Sequence, residues 1–161
     1  MWTWYASRAA GLVSLVLLTT TLVLGVSGVA RAAPTAWPRF TLARLHRNVS
    51  LLSVVFVAVH VTTAVLDGYV PIRWVDVVVP FVSGYQPFWL GLGAVALDLL
   101  VALVVTSLVR TRIGLRAWRA VHAAAYACWP VAVVHGLGIG GAGTTTGWGL
   151  VLTLGCVAAA A

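Results

Sequence analysis

The sequence of 161 residues contains no lysine and no glutamate, and it has few charged residues of any kind. Charged residues make up 8% of the chain and hydrophobic residues 61%, whereas a soluble domain carries about 25% charged residues. Because polar groups must cover much of the exterior of a soluble protein, this composition excludes an ordinary soluble domain. The chain is expected to lie in membrane lipid.

Acidic residues and cysteines are scarce as well. The net charge of +7 comes from ten arginines against three aspartates. The arginines fall between apolar runs and form no patch with interleaved aromatic residues, so no nucleic-acid partner is expected. The two cysteines, Cys128 and Cys156, lie inside apolar stretches and indicate no disulfide framework. No Cys-x-x-Cys-His motif occurs, which excludes the covalent attachment of a c-type haem.

What the chain has instead is a series of long apolar runs. A helix needs about 20 apolar residues to cross the hydrocarbon layer. Five runs qualify, at residues 9–30, 42–66, 88–109, 115–137 and 146–161. They predict an all-α integral membrane bundle of five helices that forms one transmembrane domain over residues 1–161. The first run, ended by Arg31 and Pro34, is longer than the apolar core of a cleaved signal peptide, about 7–15 residues, so we expect it to remain as a span. Of the connections, residues 72–79 are expected to lie along the membrane interface, and the glycine-rich segment 136–149 is expected to be a flexible loop.

The arginines are divided unevenly between the two ends of these runs. With five spans, the connections after the first and third spans share one side of the membrane. That side carries eight arginines: Arg31, Arg39, Arg44, Arg47, Arg110, Arg112, Arg116 and Arg119. The opposite side carries only Arg8 and Arg73. Because arginine-rich short loops stay in the cytoplasm, the N-terminus is predicted to lie outside.

All four histidines lie in the second and fourth runs, as two pairs: His46 with His60, and His122 with His135. A histidine inside a bilayer is costly and indicates a function by default. The separation of 14 residues on the second run corresponds to about 21 Å of helical rise, and it brings both rings to within about 40° of one face. The separation of 13 residues on the fourth run leaves its two rings about 140° out of phase, unless Pro130 kinks or rewinds the helix.

The direction of the spans pairs the histidines. The second and fourth spans run the same way, so His46 pairs with His122 near the cytoplasmic face, and His60 pairs with His135 near the outer face. Each level offers two imidazoles, whereas a bare zinc ion needs three or four converging ligands. Two axial imidazoles suit a b-type haem, whose macrocycle supplies the other four nitrogens. They favour electron transfer because no iron position stays open for oxygen. We therefore expect two haem b groups, as in a cytochrome b.

Charged residues near the histidines are candidates for supporting roles. Arg44, Arg47 and Arg119 stand one to three residues from the inner pair, and arginine matches the geometry of a haem propionate. The same arginines equally mark the cytoplasmic interface. Asp98 lies in the middle of the third run, where a charged carboxylate is costly unless it is paired or protonated. It is a candidate to accept a hydrogen bond from a ligand imidazole, to take part in a proton path, or to bond a serine or threonine of a neighbouring helix.

Four segments around the histidines match a familiar pattern: Leu45-His46-Arg47-Asn48, Val59-His60, Ala120-Val121-His122 and Val134-His135-Gly136. They resemble the ferric reductase-like transmembrane domain, a superfamily that includes the NADPH oxidases, the ferric reductases and the haem-binding subunit of the bacterial methionine sulfoxide reductase system. The tract 114–122 looks especially like bacterial, actinobacterial members, which implies a bacterial cell membrane. The resemblance implies two stacked b haems, the inner one on His46 and His122 and the outer one on His60 and His135. Electrons would pass from a cytoplasmic reductant to an extracytoplasmic acceptor.

The resemblance also implies partners. Full-length reductases of this family continue into a cytosolic flavin and nicotinamide domain, whereas the sequence ends at Ala161. We expect a separate reductase subunit, or a further domain of a longer chain, to supply the electrons; a longer chain would also hold the sixth helix that many members have. The chain is then an oxidoreductase membrane component that lacks its own flavin and nicotinamide domain. The acceptor stays open between ferric iron, oxygen, a quinone and an extracytoplasmic flavoprotein.

Two alternatives use the same residues differently. The first is a non-redox membrane protein, a metal-ion or proton carrier that relies on the intramembrane histidines and Asp98. The second is a structural anchor subunit whose histidines have no role in activity.

Overall fold

The computed structural model describes residues 2–30 and 38–160 of the chain. Within these residues all regular secondary structure is helical and no strand occurs, which confirms the all-α prediction. The helices are α1 (Trp2–Ala30), α2 (Arg39–Leu66), α3 (Trp74–Val78), α4 (Pro87–Leu108), α5 (Arg110–Ile113), α6 (Leu115–His122), α7 (Ala125–Gly140), α8 (Ala142–Thr145) and α9 (Gly147–Ala160). Arg31 and Pro34, the predicted end of the first span, lie outside the described residues, as does the side chain of Arg39.

Four helical stretches of the described chain are long and apolar enough to cross a membrane. They are Trp2–Gly28, Phe40–Leu66, Pro87–Leu108 and Leu115–Gly140, the last of which is made of α6 and α7. They correspond to the first four predicted spans, although α1 begins at Trp2 rather than at residue 9. The chain is thus a multi-pass membrane protein. Helix α9 has 14 residues, about 21 Å of helix, which is less than the ~30 Å of the hydrocarbon core. A fifth span therefore stays a prediction.

The first of two compact units holds α1, α2, α8 and α9. In this unit α1 packs along α2, and α9 packs against α1. The buried positions of α1 include the small or hydroxylated residues Ser7, Ala10, Ser14 and Thr19, and small side chains let two helices approach closely in lipid. Two of these hydroxyls are satisfied within the helix, because Ser14 Oγ donates to Ala10 O and Thr19 Oγ1 donates to Leu15 O, both at 2.7 Å.

The second unit, Gly68–Gly141, holds α3 to α7. Helix α4 is the element that connects this unit, because α3, α5, α6 and α7 all pack against it. Helix α4 begins at Pro87, and proline suits the first helical position because its φ is already helical and it has no N–H to satisfy.

The predicted interfacial segment at residues 72–79 contains the short helix α3. An ion pair closes its first turn: Arg73 Nη2 donates to Asp76 Oδ1 at 2.8 Å, and the backbone N–H of Arg73 donates to Asp76 Oδ2 at 2.9 Å. The carboxylate is buried, whereas the guanidinium is exposed. The hydrogen bonds from the Arg73 guanidinium, followed by the one from its backbone, hold the pKa of Asp76 below its ordinary value.

The fourth span is interrupted between α6 and α7, at Ala123 and Ala124. Three backbone bonds here join residues three apart: Ala124 N to Val121 O, Tyr126 N to Ala123 O, and Ala127 N to Ala124 O, at 2.9–3.1 Å. A 3₁₀ step turns the chain by about 120° instead of 100°, so three such steps reduce the expected 140° mismatch to roughly 80°. Pro130, the residue expected to rewind this helix, lies inside the continuous α7. The tightened turn at Ala123 and Ala124 precedes Pro130 in the chain.

Residues 136–149 are largely helical, in the end of α7, in α8 and in the start of α9. The prediction of a flexible loop here is wrong. Two of the glycines allow close packing instead, because Gly138 lies against the indole of Trp89 and Gly143 lies against the guanidinium of Arg8. Backbone groups in an apolar environment must satisfy their hydrogen bonds internally, which favours helix over an open loop.

Candidate functional site

His60 is fixed against α1 in the first unit. Its Nδ1 lies 2.7 Å from the backbone oxygen of Ser7. The Ser7 hydroxyl lies 3.3 Å from the same nitrogen and donates to the backbone oxygen of His60 at 3.2 Å. Ser7 is buried, so the imidazole is held by two groups of one residue inside the helix pair.

His46 is fixed in the same way further along α1. Its Nδ1 lies 3.0 Å from the backbone oxygen of Thr21. The interval from Ser7 to Thr21 equals the interval from His46 to His60, so the antiparallel helices keep one register over both contacts. The expectation that these two histidines share one face of their helix is confirmed, because both meet α1.

His135 repeats the arrangement in the second unit. Its Nδ1 lies 2.8 Å from the backbone oxygen of Trp89, on α4. Two histidines of the first unit and one of the second therefore share a single pattern, in which a ring nitrogen faces a carbonyl on the neighbouring helix.

This pattern fixes the tautomer of the three imidazoles. A carbonyl oxygen can only accept a hydrogen bond, so Nδ1 must carry the proton, and Nε2 of the neutral ring keeps its lone pair. A histidine that binds a metal usually donates its other N–H to a carbonyl or a carboxylate, which orients the ring and raises its basicity. The three rings share this arrangement of Nδ1 and a backbone carbonyl.

His122 is positioned by different contacts. It lies at the end of α6 and stacks on Trp118, one turn earlier, with ring centroids 4.7 Å apart and planes inclined by 26°. The indole of Trp118 is fixed in turn, because its Nε1 donates to the hydroxyl of Ser107 on α4 at 3.2 Å. An aromatic ring and a hydroxyl here replace the carbonyl partner that is seen at the other three histidines.

The predicted charged residues lie on the surface of the described chain. Arg44, Arg47 and Arg119 are all exposed, which leaves their guanidinium groups accessible to a carboxylate. Asp98 is exposed in the middle of α4, and it makes no hydrogen bond or ion pair within the described ranges. Its expected hydrogen bond to a ligand imidazole is thus not formed with either histidine of its own unit.

No group of three or more histidine, cysteine, aspartate or glutamate side chains in the described residues is arranged to hold a metal ion. Within this part of the chain, the closed set of ligands that a structural zinc ion requires is therefore not formed.

Sequence reasoning missed the groups that support the histidines. The carbonyl acceptors belong to Ser7, Thr21 and Trp89, and a backbone oxygen has no signal in residue type. The contact between Trp118 and His122 could have been predicted from the sequence. Residues four apart lie on the same face of a helix, and Trp118 precedes His122 by that distance.

The fold and the site define a class: a multi-pass helical membrane protein with four histidines inside its spans. The sequence model of the family described as "Ferric reductase like transmembrane component" matches residues 10–135 of the chain, a stretch that contains all four histidines. The chain belongs to this family. Comparison with curated proteins and with solved structures finds no match. Membership of the family points to a component of membrane electron transfer.

Proposed function

We propose that the chain carries electrons across the membrane through two b-type haems, each held between two imidazoles. The observation that carries this proposal is the hydrogen bonding of His46, His60 and His135, whose Nδ1 atoms face backbone carbonyls. That arrangement presents Nε2 of a neutral ring as the ligand, and histidine is a common axial ligand of haem iron. The residues present therefore fit the cofactor.

The pairing of the histidines follows from the alternation of the spans. The second and fourth spans cross in the same direction, which pairs His46 with His122 and His60 with His135. The eight arginines after the first and third spans identify the cytoplasmic side, so the pair of His46 and His122 is the inner one. The N-terminus is then outside, and α9 would contribute a fifth span.

Each group of the chain has a distinct task in this proposal. His46, His122, His60 and His135 would hold the haems, and a bound haem would supply a one-electron couple. The backbone carbonyls orient the rings and make Nε2 a stronger ligand. Arg44, Arg47 and Arg119 are exposed and match propionate carboxylates in charge and geometry, which suits the inner pair.

The proposed partners follow from the direction of transfer. A cytoplasmic reductase subunit or domain that uses flavin or nicotinamide would reduce the inner haem. An extracytoplasmic acceptor would draw from the outer one, and its chemical class is ferric iron, oxygen, a quinone or a flavoprotein. The membrane would be the cell membrane of a bacterium.

A second candidate function is a non-redox carrier of protons or metal ions. One observation favours it: Asp98 is exposed in the middle of an apolar helix without a hydrogen bond in the described part of the chain. A colourless protein from haem-replete cells would support this candidate, and it would overturn the haem proposal.

The test of the haem proposal is the haem content of the purified chain from haem-replete cells. We expect a red preparation whose Soret band sharpens on addition of dithionite, with about two haems per chain, one for each histidine pair. His46→Ala and His135→Ala should each lose one haem, and the two lost spectral components should differ. Asn48→Ala is the matched control, because Asn48 is an exposed neighbour of His46 on α2. One haem per chain in the wild type would contradict the two-haem proposal.

A further inference from the structure

A glycine of the neighbouring helix faces each of the three carbonyl-bound imidazoles. A Cβ atom at Gly93 would lie 2.5 Å from Cε1 of His135, and one at Gly11 would lie 3.0 Å from Cε1 and Nδ1 of His60. A Cβ at Gly25 would lie 3.4 Å from Cε1 of His46. Carbon atoms in ordinary contact stand about 3.5–4.0 Å apart. At Gly93 and Gly11 the histidine ring therefore occupies space that a side chain would need, whereas the contact at Gly25 lies at the edge of the ordinary range.

The three glycines have the same relation to the carbonyl acceptors. Each comes four residues after the acceptor: Gly11 follows Ser7, Gly25 follows Thr21, and Gly93 follows Trp89. A helical side chain lies over the turn that precedes it, so a side chain at this position would cover the outer side of that carbonyl. Glycine leaves the oxygen open to a ring from the neighbouring helix.

The spacing of the glycines follows the spacing of the histidines. On α1 the interval from Gly11 to Gly25 equals the interval from His46 to His60 on α2. Both glycines of α1 therefore lie opposite a histidine of α2 in one register.

We infer that Gly11, Gly25 and Gly93 are positioning residues for the haem ligands. Each keeps one backbone oxygen accessible, and that oxygen fixes the proton on Nδ1. The role of Nε2 as a ligand rests on the proposed function. The fixed tautomer does not, because it follows from the contacts of the protein alone.

The first test measures the tautomers without haem. The chain is labelled with ¹⁵N-histidine, prepared free of haem with neutral imidazoles, and its ring nitrogens are observed by NMR, with assignment by single His→Gln changes. Gly93→Ala should shift the population of His135 away from the Nδ1–H tautomer and leave the other rings unchanged. Gly11→Ala should do the same to His60. Gly25→Ala should have the smallest effect, on His46, because its contact is the loosest.

Two matched controls separate ring position from helix stability. Gly28 lies on α1, three residues from Gly25, and Gly136 lies on α7 beside His135; a Cβ at either would meet nothing within 4 Å. Alanine favours a helix more than glycine does, so all five substitutions should favour helix formation. Gly28→Ala and Gly136→Ala should leave every ring signal unchanged.

The second test measures haem retention in the loaded protein, as the rate of haem transfer to an excess of a haem-scavenging protein. Loss of a hydrogen-bond partner of a metal ligand typically weakens metal binding by about 10–100-fold. We expect haem loss from Gly93→Ala and Gly11→Ala to accelerate by a factor in that range, with a smaller change for Gly25→Ala and none for the two controls.

The outcomes separate this inference from the proposed function. Unchanged tautomers in all three variants would overturn the positioning role, even if the wild type binds two haems. A wild type without haem would overturn the proposed function, while the labelled spectra would still decide the role of the glycines. Where Gly93→Ala does not fold, Gly11→Ala decides, because a Cβ at Gly11 meets the ring more closely than one at Gly25. It must change the His60 signal while Gly28→Ala does not, and equal spectra for the two would overturn the inference.

Discussion

The two helical spans that carry the histidines are built differently. Helix α2 is continuous over 28 residues, and both of its imidazoles meet carbonyls of α1 in one register. The other span that bears histidines is divided into α6 and α7. There His135 meets a carbonyl of α4, whereas His122 stacks on Trp118.

This difference shows how one residue in the spacing of two histidines changes the direction in which the second ring points. The interval between His46 and His60 nearly completes a whole number of helical turns, so both rings point toward α1. Because α1 and α2 are uninterrupted and antiparallel, each ring meets a backbone carbonyl of α1 in the same way. The interval between His122 and His135 is shorter by a single position and turns the second ring away. Two features accompany this shorter interval. The helix is tightened at Ala123 and Ala124, and the ring of His122 stacks on Trp118 instead of meeting a carbonyl of α4 in the way His135 does.

The largest expected effect tests whether the different support of His122 reflects a different role. If His122 is an inner ligand, His122→Ala should remove one of the two haems, and the lost spectral component should be the one that His46→Ala loses. Haem content and the reduced-minus-oxidised spectrum measure this. If His122→Ala retains both haems, His122 does not hold the inner haem in the way that His46 does.

The next effect concerns the stacking of His122 on Trp118. A stacked ring pair contributes about 0.5–1.5 kcal/mol beyond its buried area, which corresponds to a roughly 2- to 10-fold change in an equilibrium. Trp118→Ala should therefore accelerate loss of the inner haem by roughly that factor, and Trp118→Phe should restore most of it. Trp148→Ala is the control, because Trp148 is 83% exposed. An equal effect on the outer haem would contradict a local role for Trp118.

A smaller effect is expected in the segment that precedes α4. The pKa of Asp76 is lowered by its hydrogen bonds from Arg73, so this pair stabilises the fold fully above the ordinary carboxyl pKa of about 3.9. The contribution is lost as the pH falls through the lowered value. Protease cleavage within residues 68–86 should increase over that acid range in the wild type. Asp76→Asn and Arg73→Gln should each be cleaved more readily at neutral pH and show a flatter pH profile; a wild-type profile in either would contradict this.

The sequence predicted more of the fold than of the support around the site. Four spans and their order followed from the length of the apolar runs, because the thickness of the bilayer sets that length. The flexible loop at 136–149 was wrong because glycine composition does not distinguish a loop from a helix face that admits Trp89 or Arg8. The shared face of His46 and His60 followed from helical periodicity. Their carbonyl partners did not, although Gly11 and Gly25 repeat the spacing of the histidines and could have revealed the register.

The most direct test of the central claim is the electron paramagnetic resonance of the oxidised, purified chain. Two axial imidazoles on each iron should give low-spin ferric haem only, with one low-spin centre for each histidine pair. His46→Ala and His60→Ala should remove different centres. A dominant high-spin ferric signal, which indicates an open axial position, or a chain that binds no haem would contradict the account.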